Sequence, residues 1–387
     1  MKYRRWLAAA PTCLLLHAAI AQKEVTLLFA GDAMQHQSQL ASARRNDGYD
    51  YYSYFKHLRA EIASADIAVV NLEVTLGGSP FTGYPQFSAP DEFAFALKDA
   101  GFNVVLNANN HILDRGSRGL RRTLDVLDAI PVAHTGAFRN YYERSILNPL
   151  IVVAQDIRFA MLNYTYGTNG IVAQPPVVVN YIDREQILSD IAKARSLNAD
   201  IIVANMHWGD EYRLIQNQEQ DALADFMIRE GVDLVIGSHP HVVQPSRAMI
   251  DLHGNISNIV VYSLGNLVSG MIAPNTYGGQ IVKVVVEKSP FRQAVIKRAE
   301  YALVYRYKDS TGGMVDFSVI PVSHAERADS IPTIELNHAD YNMMMRFAES
   351  ARKLFGRYNI GVTEYKPRLC IGDTATYPDF SSIIFGD

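Results

Sequence analysis

Short apolar runs that stop abruptly on polar residues constrain this chain more than any other feature. The runs VTLLFAGD (25–32), DIAVVNLE (66–73), NVVLNANNH (103–111), IRFAMLNYTY (157–166), DIIVANMHWG (200–209), VDLVIGSHPH (232–241) and NIVVYSLGN (258–266) are rich in β-branched and apolar residues. That length and composition predict buried strands. Between them lie amphipathic stretches with helical spacing: 93–102 closing on Gly101, 119–130 stopped by Pro131, 184–197, and 218–231 ending at Gly231. A glycine past the last apolar residue is a helix stop, because it accepts the left-handed backbone that closes the last turn. Strand and helix in alternation predict an α/β architecture around central sheets. In such folds ligands collect at the carboxyl ends of the strands, which is where this sequence places its polar residues; only 157–166 ends on a weak polar group.

After about residue 277 the rhythm changes. GGQIVKVVVEK and QAVIKRAEYALVYRYK alternate over longer runs and predict antiparallel strands with one wet face. A polar stretch, HAERADSIPT, precedes a helix at YNMMMRFAESARKLFG, whose methionines are read as core filling. The predicted division is a leader at 1–21, a main domain at 22–288, and a C-terminal α+β extension at 289–387 that completes or extends it.

The leader is read from MKYRRWLAAAPTCLLLHAAIAQ: positive residues, an apolar run short of the ~20 residues of a spanning helix, then Ala19-Ile20-Ala21, the pattern of a cleaved secretory signal. Its removal takes Cys13 and leaves Cys370 alone, so no intrachain disulfide is expected. Losing Lys2, Arg4 and Arg5 with it moves the net charge from -4 to about -7. An acidic surface disfavours nucleic acid and anionic membranes. The expectation is an exported protein, periplasmic, at the cell surface or secreted, with no transmembrane span in the mature chain.

Asp32, Glu73, Asn110, His111, His207, His239 and His241 each fall at or just past a predicted strand end. In an extended strand His239 and His241 face the same side and can address one centre. Carboxylate, amide oxygen and imidazole together suit Mn, Fe or Zn better than Ca or Mg. Asp114, three residues after His111, is placed either to orient that ring or to cap the helix that follows. Arg115 is a candidate for pairing with a substrate anion or for a surface ion pair. Glu211, beside His207 in sequence, is a substrate-binding candidate, with Asp210 next to it. His57, His134, His253, His324 and His338 are assigned structural roles.

In this order, AGDAM, VNLE, NANNHILDRGSRGL, MHWGDEY, GVDLVIGSHPHVVQP and YSLGN resemble the CapA family of capsule or poly-γ-glutamate biosynthesis proteins, within the calcineurin-like metallophosphoesterase superfamily. The resemblance covers roughly residues 25–285. It implies a four-layer α-β-β-α sandwich of metallophosphoesterase type, with a site for one or two divalent transition ions at the sheets' carboxyl edge. By that resemblance Asp32 and His241 serve a first metal, Glu73 bridges, and Asn110, His207 and His239 serve a second, while His111 acts on a leaving group. Two departures stand out. Met34 occupies the histidine position of the superfamily's Asp-x-His motif, with a histidine only at His36, and the bridging acid is Glu73 in place of Asp.

Other enzyme classes drop out: Ser238 lacks a G-x-S-x-G elbow, and there is no P-loop or G-x-G-x-x-G. Three readings remain. The first is an exported metal-dependent hydrolase of phosphoester or γ-glutamyl (amide) bonds, acting on an acidic envelope polymer or a small anionic substrate. The second is a non-catalytic accessory protein that binds such a polymer beside the polymer-synthesis machinery. The third is a carbohydrate-binding protein using the tyrosines of YDYYSYF, a run spaced like a helix face and read rather as packing.

Overall fold

This computed structural model describes residues 23–252, 254–290, 292–309, 315–326, 334–368 and 384–385. The predicted leader, both cysteines and His253 lie outside the described residues. Among the described residues no helix is long and apolar enough to cross a membrane.

The principal elements, in chain order, are β1 (Lys23–Ala33), β2 (Ile67–Leu72), α1 (Asp91–Ala100), β3 (Val104–Leu106), α2 (Gly116–Asp128), β4 (Ala133–Thr135), β5 (Leu150–Ala154) and β6 (Ile157–Thr165). There follow α3 (Arg184–Ser196), β7 (Ile201–His207), α4 (Gln218–Arg229), β8 (Leu234–Ser238), β9 (Ser246–Ile250), β10 (Ile256–Val261) and β11 (Asn266–Val268). β12 (Gly278–Lys288), β13 (Val295–Asp309), β14 (Asp316–Pro321) and α5 (His338–Tyr358) complete the fold. The helices start and stop where side chains satisfy the backbone. Asp183 and Asn217 cap α3 and α4 by accepting the amides of Gln186 and Gln220. Gly101 closes α1 at φ +113°.

The strand order is β5-β6-β7-β8-β10-β13-β12-β1-β2-β3-β4. β6 to β10 form one parallel half and β1 to β4 the other. Antiparallel β13 and β12 join them, and the link from β10 to β13 is the single pair Ile256 and Ile296. Alternate residues show how this sheet folds over on itself. Leu27, Phe29, Ile67 and Val69 share one apolar cluster with Phe159, Met161, Ile201, Val203, Leu234 and Ile236 of the opposite half. Their neighbours Leu28, Ala68 and Val70 instead pack on Phe93, Ala96 and Leu97 of α1. Leu162, Ile202 and Val235 pack on Ile187 and Ile191 of α3 and Leu223 and Met227 of α4. A period of two sends every second residue to the opposite face, so the layers run helix, sheet, sheet, helix, as expected. The difference is that the two sheets form one hydrogen-bonded surface.

The C-terminal strands are integral to this sheet. β13 pairs along β12 from Gly278 with Tyr305 to Glu287 with Val295, and α5 buries Met344, Phe347 and Phe355 in the central cluster. Met344 therefore fills core, as predicted. In YDYYSYF, Tyr51, Tyr54 and Phe55 are buried around a short 3-10 turn and pack as core, while Tyr52 is exposed.

Two strand ends differ from the sequence pattern. β3 stops at Leu106, and residues 107–111 turn, with the Asn109 side chain accepting the His111 amide. Asparagine side chains compete with ladder bonds in this way. β8 stops at Ser238, and His239 and His241 adopt φ +97° and +58° around Pro240. Their convergence comes from this left-handed turn rather than from strand alternation. Residues held at positive φ cost about 1–3 kcal/mol each, strain that clusters at functional sites.

Candidate metal centre

The carboxyl edge of the folded sheet gathers the predicted residues. Asp32 arrives through a bulge: β1 pairs Ala30 with Val70 and then Asp32 with Asn71, leaving Gly31 as the extra residue. A Cβ at Gly31 would lie 1.9 Å from the carbonyl oxygen of Gly265, the same carbonyl that accepts the Asp32 amide at 3.0 Å. Only glycine lets the two backbones approach this closely. Glu73 follows the end of β2, Asn110 and His111 sit in the turn after β3, His207 is the last residue of β7, and His239 and His241 follow β8. None of the seven is more than 4 % exposed.

Asp32 accepts from the Asn71 amide at 2.7 Å through Oδ1 and from the His239 backbone N–H at 3.2 Å through Oδ2. The His241 Nδ1 lies 3.2 Å from Asp32 Oδ2 and 3.1 Å from Asn266 Oδ1. Asn266 is fixed in that sense because its amide donates to Ser269 and to the Thr276 carbonyl. Two acceptors at Nδ1 assign its proton there, leaving the Nε2 lone pair toward Glu73 Oε1 at 3.7 Å. His207 Nε2 lies 2.7 Å from Asn110 Oδ1 and 3.6 Å from Glu73 Oε1. The rings of His207 and His239 are 4.8 Å apart, those of His239 and His241 5.8 Å. Ligand atoms of Glu73, His239 and His241 lie within 4.8 Å of one another, as do those of Asp32, Glu73 and His207. Glu73 belongs to both sets.

The electrostatics separate these groups. Burial, then the adjacent Asp32, pushes the Glu73 carboxyl well above the usual range. Burial also pushes Asp32 up, but the hydrogen bond and charge of His241 and the Asn71 amide outweigh it and hold Asp32 low. Burial, then the neighbouring imidazoles, pushes His207 well down and His239 down to about 3. These two imidazoles are thus neutral near pH 7, the state in which nitrogen ligates.

Both oxygens of Glu73 and Nδ1 of His239 are buried without a hydrogen-bond partner among the described residues. An unpaired buried carboxylate is costly and is rare in native folds. A divalent cation among these acceptors removes that cost, so the residues present fit such an ion.

Beside this cluster, His111 Nδ1 lies 2.7 Å from Asp114 Oδ2. Asp114 orients the ring; the capping alternative is excluded, since the N-cap of α2 is Arg115 and it makes no side-chain capping bond. Arg115 is not turned to the site. Through Nη2 it donates to the Pro80 carbonyl at 2.8 Å and the Thr82 hydroxyl at 2.9 Å, so it is a loop-holding residue here and makes no ion pair with any described residue. Asp114 also accepts the Phe87 amide at 2.8 Å, so two consecutive residues hold the loop 77–88. That loop forms one wall of a pocket of about 350 Å³ lined by Tyr84, Pro85, Gln86, Asn110, His111, Asp114, Asn169, Ile171 and Glu211. Glu211 is therefore where a substrate-contacting residue would be, whereas Asp210 holds the α4 cap residue Asn217 at 2.9 Å. A larger open hollow of about 1010 Å³ at residues 41–49 contains none of these groups.

Met34 is buried in the outer apolar cluster, and His36 Nδ1 accepts the Gly270 amide at 3.1 Å. Neither replaces the missing motif histidine. Tyr166, whose ring lies 4.5 Å from that of His239, and the buried amides of Asn71, Asn109 and Asn266 were not singled out in the sequence; VNLE and YSLGN contain two of those amides, but nothing in the spacing marks them. Of the histidines assigned structural roles, His134 pairs with Asp128 at 2.8 Å and His324 with the Pro367 carbonyl at 3.0 Å.

A mixed α/β sheet folded over on itself, with a buried acid, amide and imidazole set at its carboxyl edge, defines an α/β protein with a candidate metal centre. The chain belongs to the bacterial capsule synthesis protein PGA_cap family, whose model matches residues 26–271. It is 29 % identical over 257 residues to the capsule biosynthesis protein CapA of Bacillus anthracis, covering 64 % of this chain and 60 % of that one. It is 27 % identical over 275 residues to the PGA biosynthesis protein CapA of Bacillus subtilis (strain 168), covering 67 % of each. The chain thus spans about three fifths of the length of the B. anthracis relative. Among solved structures it is similar to the calcineurin-like phosphoesterase YfkN from Bacillus subtilis, with TM-score 0.43 and 12 % identity, over 86 % of this chain and 99 % of that one.

Proposed function

We propose that this protein is an exported, metal-dependent hydrolase of an acidic envelope polymer of the capsule or poly-γ-glutamate type, cleaving a phosphoester or a γ-glutamyl amide bond. The observation that carries the reading is Glu73: a fully buried carboxylate with both oxygens unpartnered, set among Asp32, His207, His239 and His241. Asp32, Glu73, Asn110, His207, His239 and His241 would hold one or two divalent transition ions, Mn, Fe or Zn. Such an ion would supply Lewis acidity toward an anionic oxygen and ease deprotonation of water.

The chain's own residues do the rest. Asp32 and Asn266 orient His241 through Nδ1, and Asp114 fixes His111 so that Nε2 is the atom left to hand a proton to a leaving oxygen or nitrogen. The pocket walls position the chain beside that atom. The test is turnover of a chromogenic phosphodiester and a γ-glutamyl anilide by metal-loaded protein and by His111→Ala. The reading expects metal content unchanged in the variant and turnover lower by about 100-fold or more. Loaded, folded wild type that cleaves neither substrate contradicts it.

One observation favours a second reading, an accessory protein that binds the polymer without cleaving it: Met34 is packed into the core where the superfamily places a histidine. Polymer binding that survives both chelation and His111→Ala would select this alternative. In either reading the machinery that makes the polymer is the expected partner.

A further inference from the structure

The pocket beside the metal cluster has no lysine or arginine in its walls. Arg115, the nearest candidate in sequence, is not among its lining residues and holds Pro80 and Thr82 through Nη2. Asp114 is committed to His111 and to the Phe87 amide, and Asn110 and Asn169 are bonded to each other. Of the charged wall residues this leaves the exposed Glu211, which makes no ion pair with any described residue. Around it stand partly exposed tyrosine rings: Tyr84 in the wall at 72 % exposure, and Tyr166 and Tyr212 at 49 % and 48 % against His239 and His241. Tyr212 follows Glu211 directly in the chain, and Tyr84 lines the same pocket as Glu211.

A carboxylate flanked by aromatic faces attracts an ammonium, through charge and through the ring quadrupoles. An ammonium is a pure donor and suits walls whose free charge is an acceptor. A carboxylate or phosphate finds no lysine or arginine partner in these walls. We propose that this pocket binds a primary ammonium group, so that an acidic chain enters by its free amino end and is not gripped along its anionic interior. This rests on the acidic-polymer reading above. Glu211 is the recognition residue, and Arg115 and Asp114 are positioning residues that hold the Tyr84 wall.

The experiment is calorimetric binding to the manganese-loaded protein of a γ-linked triglutamate with a free amino terminus, beside its N-acetylated form and N,N′-diacetylchitobiose. The proposal expects acetylation to weaken binding at least tenfold, and Glu211→Gln, at an exposed position that leaves fold and metal content intact, to abolish the difference. Equal affinity for both peptides overturns the proposal and leaves the polymer reading standing. A preference for the free amine that persists in Glu211→Gln overturns it as well, because the amine is then read elsewhere. N,N′-diacetylchitobiose, which has no amine, binding as tightly as the free-amine peptide overturns it in favour of hydroxyl recognition. No binding of either peptide to metal-loaded protein overturns both the proposal and the acidic-polymer reading.

Discussion

Replacing Glu73 by glutamine should act with opposite sign in the metal-free and the metal-loaded protein. Without metal, the wild type confines a carboxylate that has no hydrogen-bond donor and sits beside Asp32. An unsatisfied buried group costs on the order of 1–3 kcal/mol, and more when charged, so Glu73→Gln should stabilise the metal-free fold by that order. The gain should grow with pH. Glu73 has a folded pKa raised above its unfolded value, by burial and then by Asp32. Its contribution is therefore fully present below the unfolded value near 4.5 and is lost as pH rises through the folded one. The loss is about 1.4 kcal/mol per pH unit within that window. With metal, the order reverses. A ligand at a hundred times its Kd stabilises the wild type by about 2.7 kcal/mol. At roughly 2 °C per kcal/mol for a large domain, that is a Tm rise of about 5 °C, which the variant should largely lose. Differential scanning calorimetry at pH 5 and pH 8, with and without manganese or zinc, reads all four states. A metal-free variant less stable than wild type at pH 8, or an undiminished metal shift, would refute the reasoning.

Two further perturbations separate the His111 pair and the bulge from the metal ligands. Asp114→Ala removes the one oxygen, Oδ2, that both His111 Nδ1 and the Phe87 amide share; metal content should hold while turnover falls by about 100-fold or more, and an unchanged pH-rate profile and rate would contradict the orienting role. Gly31→Ala drives a Cβ to 1.9 Å from the Gly265 carbonyl oxygen; it should cost about 1–3 kcal/mol or more and lower metal affinity together, whereas a variant with wild-type stability would contradict the close approach.

The strands at 25–32, 66–73 and 200–209 were legible from length and composition and the intervening helices from their spacing, whereas the four-layer arrangement was legible only through the family resemblance. Asp32, Glu73, Asn110, His207, His239 and His241 were legible as strand-end residues, and they do converge. How they converge was not. The left-handed backbone at His239 and His241 and the bulge at Gly31 are set by tertiary contacts, with Gly265 above all, which a linear pattern does not encode. The same holds for Arg115: its charge suggested an anion partner, but the loop 77–88 folds back and offers a carbonyl and a hydroxyl first. Asn71, Asn109 and Asn266 went unremarked because an asparagine near a strand end reads as turn chemistry, and its value here lies in which imidazole or carboxylate it meets. The single hydrogen-bonded sheet, in place of two, follows from the pair Ile256 and Ile296, too local a contact for composition to reveal.

The central claim is that the buried cluster binds metal. Elemental analysis of purified protein beside a His239→Ala/His241→Ala variant tests it directly. The account predicts one or two divalent transition ions per chain in the wild type and their loss in the variant, with circular dichroism showing both folded. A folded wild type that retains no ion after reloading with manganese, iron or zinc would contradict it.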